Sequence, residues 1–146
     1  MKSESQSLLE WYEKLNYFMR WRKDVDPYKI WISEIMLQQT QVETVKRYFS
    51  AWIDKYPNIE KLSKSNIDDI LKLWEGLVYY KRAHHILETA KIIVSDYNGQ
   101  LPDKYLELIK LKGIGDYTAS AISSIAFNKP YPAIDGNLKR VLSRLY

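Results

Sequence analysis

A glutamate set among apolar side chains, an aspartate beside a glycine, and a turn holding two glycines are the features of this chain whose residue types could do chemistry. Glu34 has Ile30 and Trp31 one helical turn before it, Leu37 and Gln38 one turn after it, and no Lys or Arg at i±3 or i±4. It therefore lacks the usual partner of a surface glutamate. A carboxyl in such a sector loses hydration, which raises its pKa and prepares it to act as a general acid near neutral pH. The plainer reading puts Glu34 at the edge of an apolar face, reaching solvent. Asp135, in Ala133-Ile134-Asp135-Gly136-Asn137, reads first as a helix N-cap. The functional reading is a fixed carboxylate aimed into a cleft, and the two are compatible because a cap holds its side chain still.

The segment Leu111-Lys112-Gly113-Ile114-Gly115 joins two helical patterns. Its glycines permit positive φ and close approach by another backbone, while Leu111 and Ile114 would anchor the turn in the core. The following helix would present free N–H groups, where an anion is favoured. Such a hairpin can hold a DNA phosphate without reading sequence; it can equally be a tight helix–helix turn that needs glycine for geometry. Gln38-Gln39-Thr40, followed by Gln41, closes an apolar helix with uncharged polar groups. They are either a helix end or probes of base edges.

The elements that must position these residues are helical throughout. Leu8, Trp11, Tyr12, Leu15 and Phe18 or Met19 give a helical stripe from about Ser5 to Met19, followed by a charged connection over residues 20–26. Asp26 is a plausible N-cap for a helix from Tyr28 to Gln39 with Pro27 in its first turn. A helix from Val42 to Tyr56 stops at Pro57. Ser65 and Asp68 resemble a capping box opening a helix to Trp74. A stripe of Ala83, Ile86, Leu87, Ala90, Ile93 and Val94 ends at the stop signal Asn98-Gly99. A short helix over Asp103 to Lys110 precedes the hairpin, and a small-residue helix from Asp116 to Phe127 follows it. The last helix begins near Gly136 with Leu138, Val141, Leu142 and Leu145 as its buried stripe. Tyr146 follows with no stop signal, so this helix is expected to be cut mid-course. No strand pattern or internal repeat is present, and the expected class is all-α.

Composition excludes several function classes. The 146 residues can bury roughly 70% of their unfolded surface, and 46% hydrophobic with 27% charged residues argues against disorder. With no Cys, the chain can make no disulfide framework, thiol nucleophile or Cys-ligated metal site, and its two His, adjacent at His84 and His85, leave little for a His-based one. No apolar run is long enough to span a membrane and the first residues are polar, unlike a secretory signal, so a cytosolic soluble domain without membrane partners is expected. The net charge of +4 and the 14% aromatic content suit nucleic-acid binding as well as a packed helical core.

Taken in order, these residues resemble the adenine-DNA glycosylases of the MutY type. Trp21-Arg22, Asp26-Pro27-Tyr28-Lys29, Ser33-Glu34-Ile35-Met36-Leu37-Gln38-Gln39-Thr40, Leu73-Trp74-Glu75-Gly76-Leu77-Val78-Tyr79-Tyr80, the hairpin, and Asp135-Gly136-Asn137-Leu138-Lys139-Arg140-Val141 carry the resemblance from about residue 20 onward. The hairpin is common to the wider helix-hairpin-helix glycosylase superfamily; Gln-Gln-Thr with Asp-Gly-Asn is more specific to the adenine enzymes. The resemblance implies a six-helix barrel over residues 20–132, with the helix-hairpin-helix near residues 108–127. Residues 1–19 and 133–146 would be incomplete parts of a second, iron–sulfur-type domain. The implied activity is base-excision repair: hydrolytic removal of adenine mispaired with 8-oxoguanine or guanine in double-stranded DNA, by a monomer at the nucleoid of the bacterial cytosol.

The resemblance also implies roles. Glu34 would protonate the adenine and Asp135, supported by Asn137, would steady the positive sugar. Trp21 and Arg22 would shape the adenine pocket. Gln39, Thr40, Leu77 and Tyr79 would contact the opposite strand, with Gln39 beside the 8-oxoguanine; Gln38 and the hairpin residues Lys112, Gly113 and Gly115 complete the expected DNA contacts. Tyr117 stands where lyase-type relatives carry a Schiff-base lysine, and a phenol cannot form that imine, so base removal without efficient strand cleavage is expected. The chain departs from the family pattern with Arg20 and Lys112 in place of proline and Val78 in place of glycine. Family members continue into a four-cysteine module holding a 4Fe–4S cluster, which these residues cannot bind, and often into a further domain that recognises 8-oxoguanine; the chain thus reads as an N-terminal fragment or truncated form. Two other readings are a DNA-binding helix-hairpin-helix module left inactive by truncation and a mismatch thymine or uracil glycosylase, whose relatives tend to have Arg-Arg-Thr and Asp-Ala-Asn.

Overall fold

Four of the five tryptophans are fully buried, and the helices that carry them build the centre of the molecule. The computed structural model describes residues 2–15 and 19–146; among them are ten helices and no strand. The all-α expectation therefore holds. Phe18, one candidate for the first helical stripe, lies outside the described residues.

The core is organised around α3 (Pro27–Leu37), which packs against α4 (Val42–Lys55), α9 (Asp116–Phe127) and α2 (Arg20–Lys23). Eight of the eleven α3 residues are buried, Glu34 among them, so the helix is enclosed on nearly all sides. Close approach of α9 is possible because it meets α3 with small side chains: Thr118, Ala119, Ser120, Ala121 and Ser123 are all buried. Edge-on aromatic pairs tie the layers together, Trp21 to Phe49 at 5.2 Å and Trp52 to Trp74 at 5.7 Å between ring centroids. The buried Tyr28 hydroxyl donates to the Tyr56 carbonyl at 2.7 Å and accepts from Trp52 Nε1 at 3.1 Å. Around this centre lie α5 (Ile59–Ser63) and α6 (Ile67–Trp74), both packed on α7 (Lys81–Asp96), and the short α8 (Tyr105–Leu108) on α9.

Local chemistry explains most boundaries. Asp26 accepts from the Tyr28 amide at 2.9 Å and caps α3 as expected. The Asn98-Gly99 stop is real: Asn98 is left-handed and the Gly99 amide reaches back to the Ile93 carbonyl at 3.0 Å. The start of α6 differs from expectation. Asn66 is its cap, accepting from the Asp69 amide at 2.8 Å, whereas the Ser65 hydroxyl donates back to the Leu62 carbonyl. The supposed charged connection contains α2, and α5 was hidden between Pro57 and Ser65; its cap is Asn58.

The two terminal helices behave differently from the rest. Every buried residue among those described lies between Trp21 and Ser123. On α1 (Glu4–Lys14), Leu8, Leu9, Trp11 and Tyr12 are exposed. On α10 (Gly136–Leu145), the stripe expected to be buried is exposed as well: Leu138, Val141, Leu142 and Leu145 are 38–69% accessible. Both helices are amphipathic, but neither finds a covering surface among the described residues.

Candidate active-site cleft

A cleft of about 750 Å³ opens where α2, the end of α3, the start of α9 and the start of α10 converge. Arg22, Glu34, Gln38, Gln39, Thr40, Tyr117, Asp135 and Asn137 line it, together with Leu37, Gln41 and Gly136. Most residues singled out from sequence, drawn from four separate segments, thus meet at one surface.

Glu34 is 3% exposed, which answers the sequence ambiguity in favour of the buried reading. It does have a cationic partner, from another helix: Arg22 Nη2 donates to Glu34 Oε1 at 3.0 Å. Burial lifts the Glu34 carboxyl above its ordinary value, against the opposing pull of the Arg22 charge and the Tyr117 hydroxyl. Tyr117, in the first turn of α9, is itself pushed up to about 12 by burial and by the Glu34 and Asp135 charges. It therefore keeps its proton at neutral pH and can donate a hydrogen bond. Asp135 is half-buried and caps α10, its Oδ1 accepting from the Leu138 amide at 2.7 Å and its Oδ2 from Asn137 Nδ2 at 3.3 Å. Cap and cleft roles coincide, as the capping geometry allows.

The polar run closing α3 is a sharp turn. Gln38 is extended and donates to Thr118 Oγ1 at 3.3 Å, and Gln39 is left-handed, φ 58°, and exposed. Beside it, Gln38, Gln39, Tyr79, Lys81, Arg82 and His85 line a second cavity of about 280 Å³. Tyr79 and Val78 are exposed and both left-handed, at φ 48° and 60°, while Leu77 is buried. Trp21, expected at the pocket, is fully buried against Phe49 and does not line the cleft.

In the hairpin, Leu111 and Ile114 are buried as anchors and Thr89 Oγ1 donates to the Lys112 carbonyl at 2.8 Å. Lys112 pairs with Glu88 at 2.5 Å. The two glycines differ. Gly113 has φ +79°, and a Cβ there would sit 2.8 Å from His85 Cβ, whereas Gly115 has an ordinary φ of −89° with nothing within 4 Å. Its bareness is not required by the fold, contrary to the expectation that both glycines serve the turn. Gly115 precedes the α9 amides, which have no side-chain cap. Gly113→Ala should therefore cost about 1–2 kcal/mol of stability, while Gly115→Ala should melt like the wild type; thermal denaturation of the two checks this contrast.

Arg82 is the residue that sequence reasoning missed. No period or spacing marks it, because its partners are backbone carbonyls, which every residue carries. The iron–sulfur cluster expected of longer relatives finds no fit here: the chain has no cysteine, and no group of three or more His, Asp or Glu side chains among the described residues could hold a metal. Nor is any helix among the described residues long and apolar enough to cross a membrane.

Comparison with known proteins places the geometry in context. A family model described as HhH-GPD superfamily base excision DNA repair protein matches residues 32–146. The adenine DNA glycosylase of Buchnera aphidicola subsp. Baizongia pistaciae is 51% identical over 142 residues, covering 97% of this chain and 40% of that protein. The adenine DNA glycosylase of Homo sapiens is 40% identical, over 95% of this chain and 27% of its own length. Among solved structures, a thermostable thymine-DNA glycosylase superposes with a TM-score of 0.87 at 30% identity, covering 94% of this chain and 64% of that one. An endonuclease III in complex with DNA shares the fold, with a TM-score of 0.81 at 23% identity over 99% of this chain and 70% of its own.

Proposed function

For a chain that belongs to the HhH-GPD superfamily of base excision DNA repair proteins, we propose that these residues form the base-excising centre of an adenine DNA glycosylase. The substrate is adenine mispaired with 8-oxoguanine or guanine in double-stranded DNA, and the bond broken is the N-glycosidic bond. The observation that carries this reading is the convergence of the buried Glu34 carboxyl and the Asp135 carboxylate on one cleft. Residues 20–132 are the barrel in this proposal, with 1–19 and 133–146 belonging to a second domain; the exposed stripes of α1 and α10 support that division.

The chemistry needs two carboxyls with opposite duties. Adenine leaves poorly as an anion, so Glu34, whose carboxyl burial lifts above its ordinary value, gives its proton to the extruded base. As the C1′–N bond breaks, its electron pair goes to the departing base and positive charge develops on the sugar. Asp135, fixed by two hydrogen bonds, faces that charge and stabilises it electrostatically. Water then adds to C1′, and its released proton returns to the Glu34 carboxylate. The base must first leave the helix stack, which costs a few kcal/mol. The hairpin and the uncapped α9 amides suit a phosphate of the backbone, and the Gln38–Tyr79 cavity suits the opposite strand. Tyr117 makes no imine, so the strand is left uncut, and borohydride should trap no covalent DNA adduct.

Single-turnover assays on defined duplexes test the reading. Adenine release is expected opposite 8-oxoguanine and guanine, with none opposite thymine. Release of thymine opposite guanine would assign the chain to the chemistry named for its thymine-DNA glycosylase neighbour. Tight binding with no release of any base would leave a DNA-binding module. The exposed side of α10 favours that second reading, since Asp135 is then held only from within the first turn of α10, by the Leu138 amide and Asn137 Nδ2.

A further inference from the structure

Arg82, near the start of α7, is hydrogen-bonded to two segments of backbone some forty residues apart in sequence. Its Nη1 donates to the carbonyls of Ile35 at 2.8 Å and Gln38 at 2.7 Å, at the end of α3 where helix acceptors lose their own partners. Its Nη2 donates to the carbonyls of Leu77 at 2.9 Å and Val78 at 3.2 Å. The guanidinium also lies 5.2 Å from the Trp74 ring centroid and 5.7 Å from that of Tyr79. Among the described residues, no other side chain is hydrogen-bonded to both segments.

These two segments hold conformations that a chain does not adopt unaided. Gln39, Val78 and Tyr79 are all left-handed without being glycine, and Val78 is β-branched. Each such residue is strained and persists only where its surroundings over-determine it. Gly76, at φ +94°, closes the same turn against Tyr48, whose hydroxyl would lie 2.3 Å from an added Cβ. The segments face each other across the cavity that adjoins the cleft, Gln38 and Gln39 lining both.

We propose that Arg82 is a positioning residue that makes the Gln38–Thr40 and Leu77–Tyr79 segments one rigid reader of the base opposite the excised adenine. This rests on the adenine-glycosylase reading above. Arg82 touches no reacting atom; it acts through Gln39 and Tyr79. Lysine cannot replace it, because a point charge with three donors does not span two separated sets of carbonyls.

The test is equilibrium binding in a Glu34→Gln background, where no base leaves during titration. Affinities are measured for adenine opposite 8-oxoguanine and adenine opposite thymine, with Arg82→Lys and Arg82→Met compared to the unaltered position. Loss of preorganisation should lower the ratio of the two affinities by about tenfold, with affinity for the matched duplex within about twofold. A purely structural role would lower both affinities in parallel as the folded fraction falls, and an unchanged ratio overturns the proposal. If the unaltered protein shows no preference, the adenine-glycosylase reading fails and takes this inference with it. Should Arg82→Met not fold, amide hydrogen exchange in Arg82→Lys decides: protection should fall together in residues 38–40 and 77–79, and loosening of one segment alone overturns the proposal.

Discussion

Glu34→Gln should reduce adenine release by about a thousandfold, the scale expected when a positioned general acid is removed, while duplex binding is retained. Glutamine keeps the shape and can still accept from Arg22, but it has no acidic proton. Single-turnover kinetics beside a binding titration separates the two effects, and wild-type release by this variant would remove Glu34 from the acid role. The raised pKa adds a pH signature. Because release needs the protonated carboxyl, activity should fall on the alkaline side as pH passes the Glu34 pKa. Stability follows the same sign: between the unfolded and the raised folded pKa, the folded protein binds the extra proton, so folding weakens as pH rises through that window. Glu34→Gln should lose this dependence, and melting curves across the acidic range check it.

Asp135→Asn should slow base release by about a hundredfold, the usual cost of removing one electrostatic stabiliser of a transition state, with a melting temperature near that of the wild type. The separation is possible because asparagine caps helices about as well as aspartate, so the bond to the Leu138 amide at the start of α10 survives, while the negative charge is lost together with the exposed 3.3 Å bond from Asn137 Nδ2, which the new amide nitrogen cannot accept. An intermediate outcome is informative in direction: a large fall in stability with unchanged release per folded molecule would reduce Asp135 to its capping role. The same single-turnover assay, normalised to folded protein, makes that distinction.

How far the sequence could be read depends on whether the deciding interaction is local. Caps were legible at Asp26 and Asp135, where the side chain bonds an amide two or three residues on. The α6 start lies one residue after the sequence expectation because Ser65 and Asn66 are both cap formers; the Ser65 hydroxyl is used by the Leu62 carbonyl at the end of α5, a helix the sequence pattern does not show. Apolar periodicity finds the amphipathic helices but not their partners, so it predicts a buried α10 stripe although nothing among the described residues covers it. Glu34 shows the limit most clearly. Its lack of a partner along α3 is a true local fact, yet Arg22 reaches it from α2.

The longer helices, the glycine turn at Gly113 and the positions of Glu34 and Asp135 were determined by the sequence alone, since each follows from periodicity, capping chemistry or a φ requirement within a few residues; α2 and α5 were not, and Tyr117 was marked only by the family resemblance. Tertiary structure decided what those groups become. Enclosing α3 strips water from Glu34 and raises its pKa, packing α2 beside it supplies the opposing Arg22 charge, and folding α9 and α10 to the same cleft brings Tyr117 and Asp135 within its reach. Desolvation and charge proximity depend on distance in space rather than along the chain, and so does the bridging of two backbone segments by Arg82.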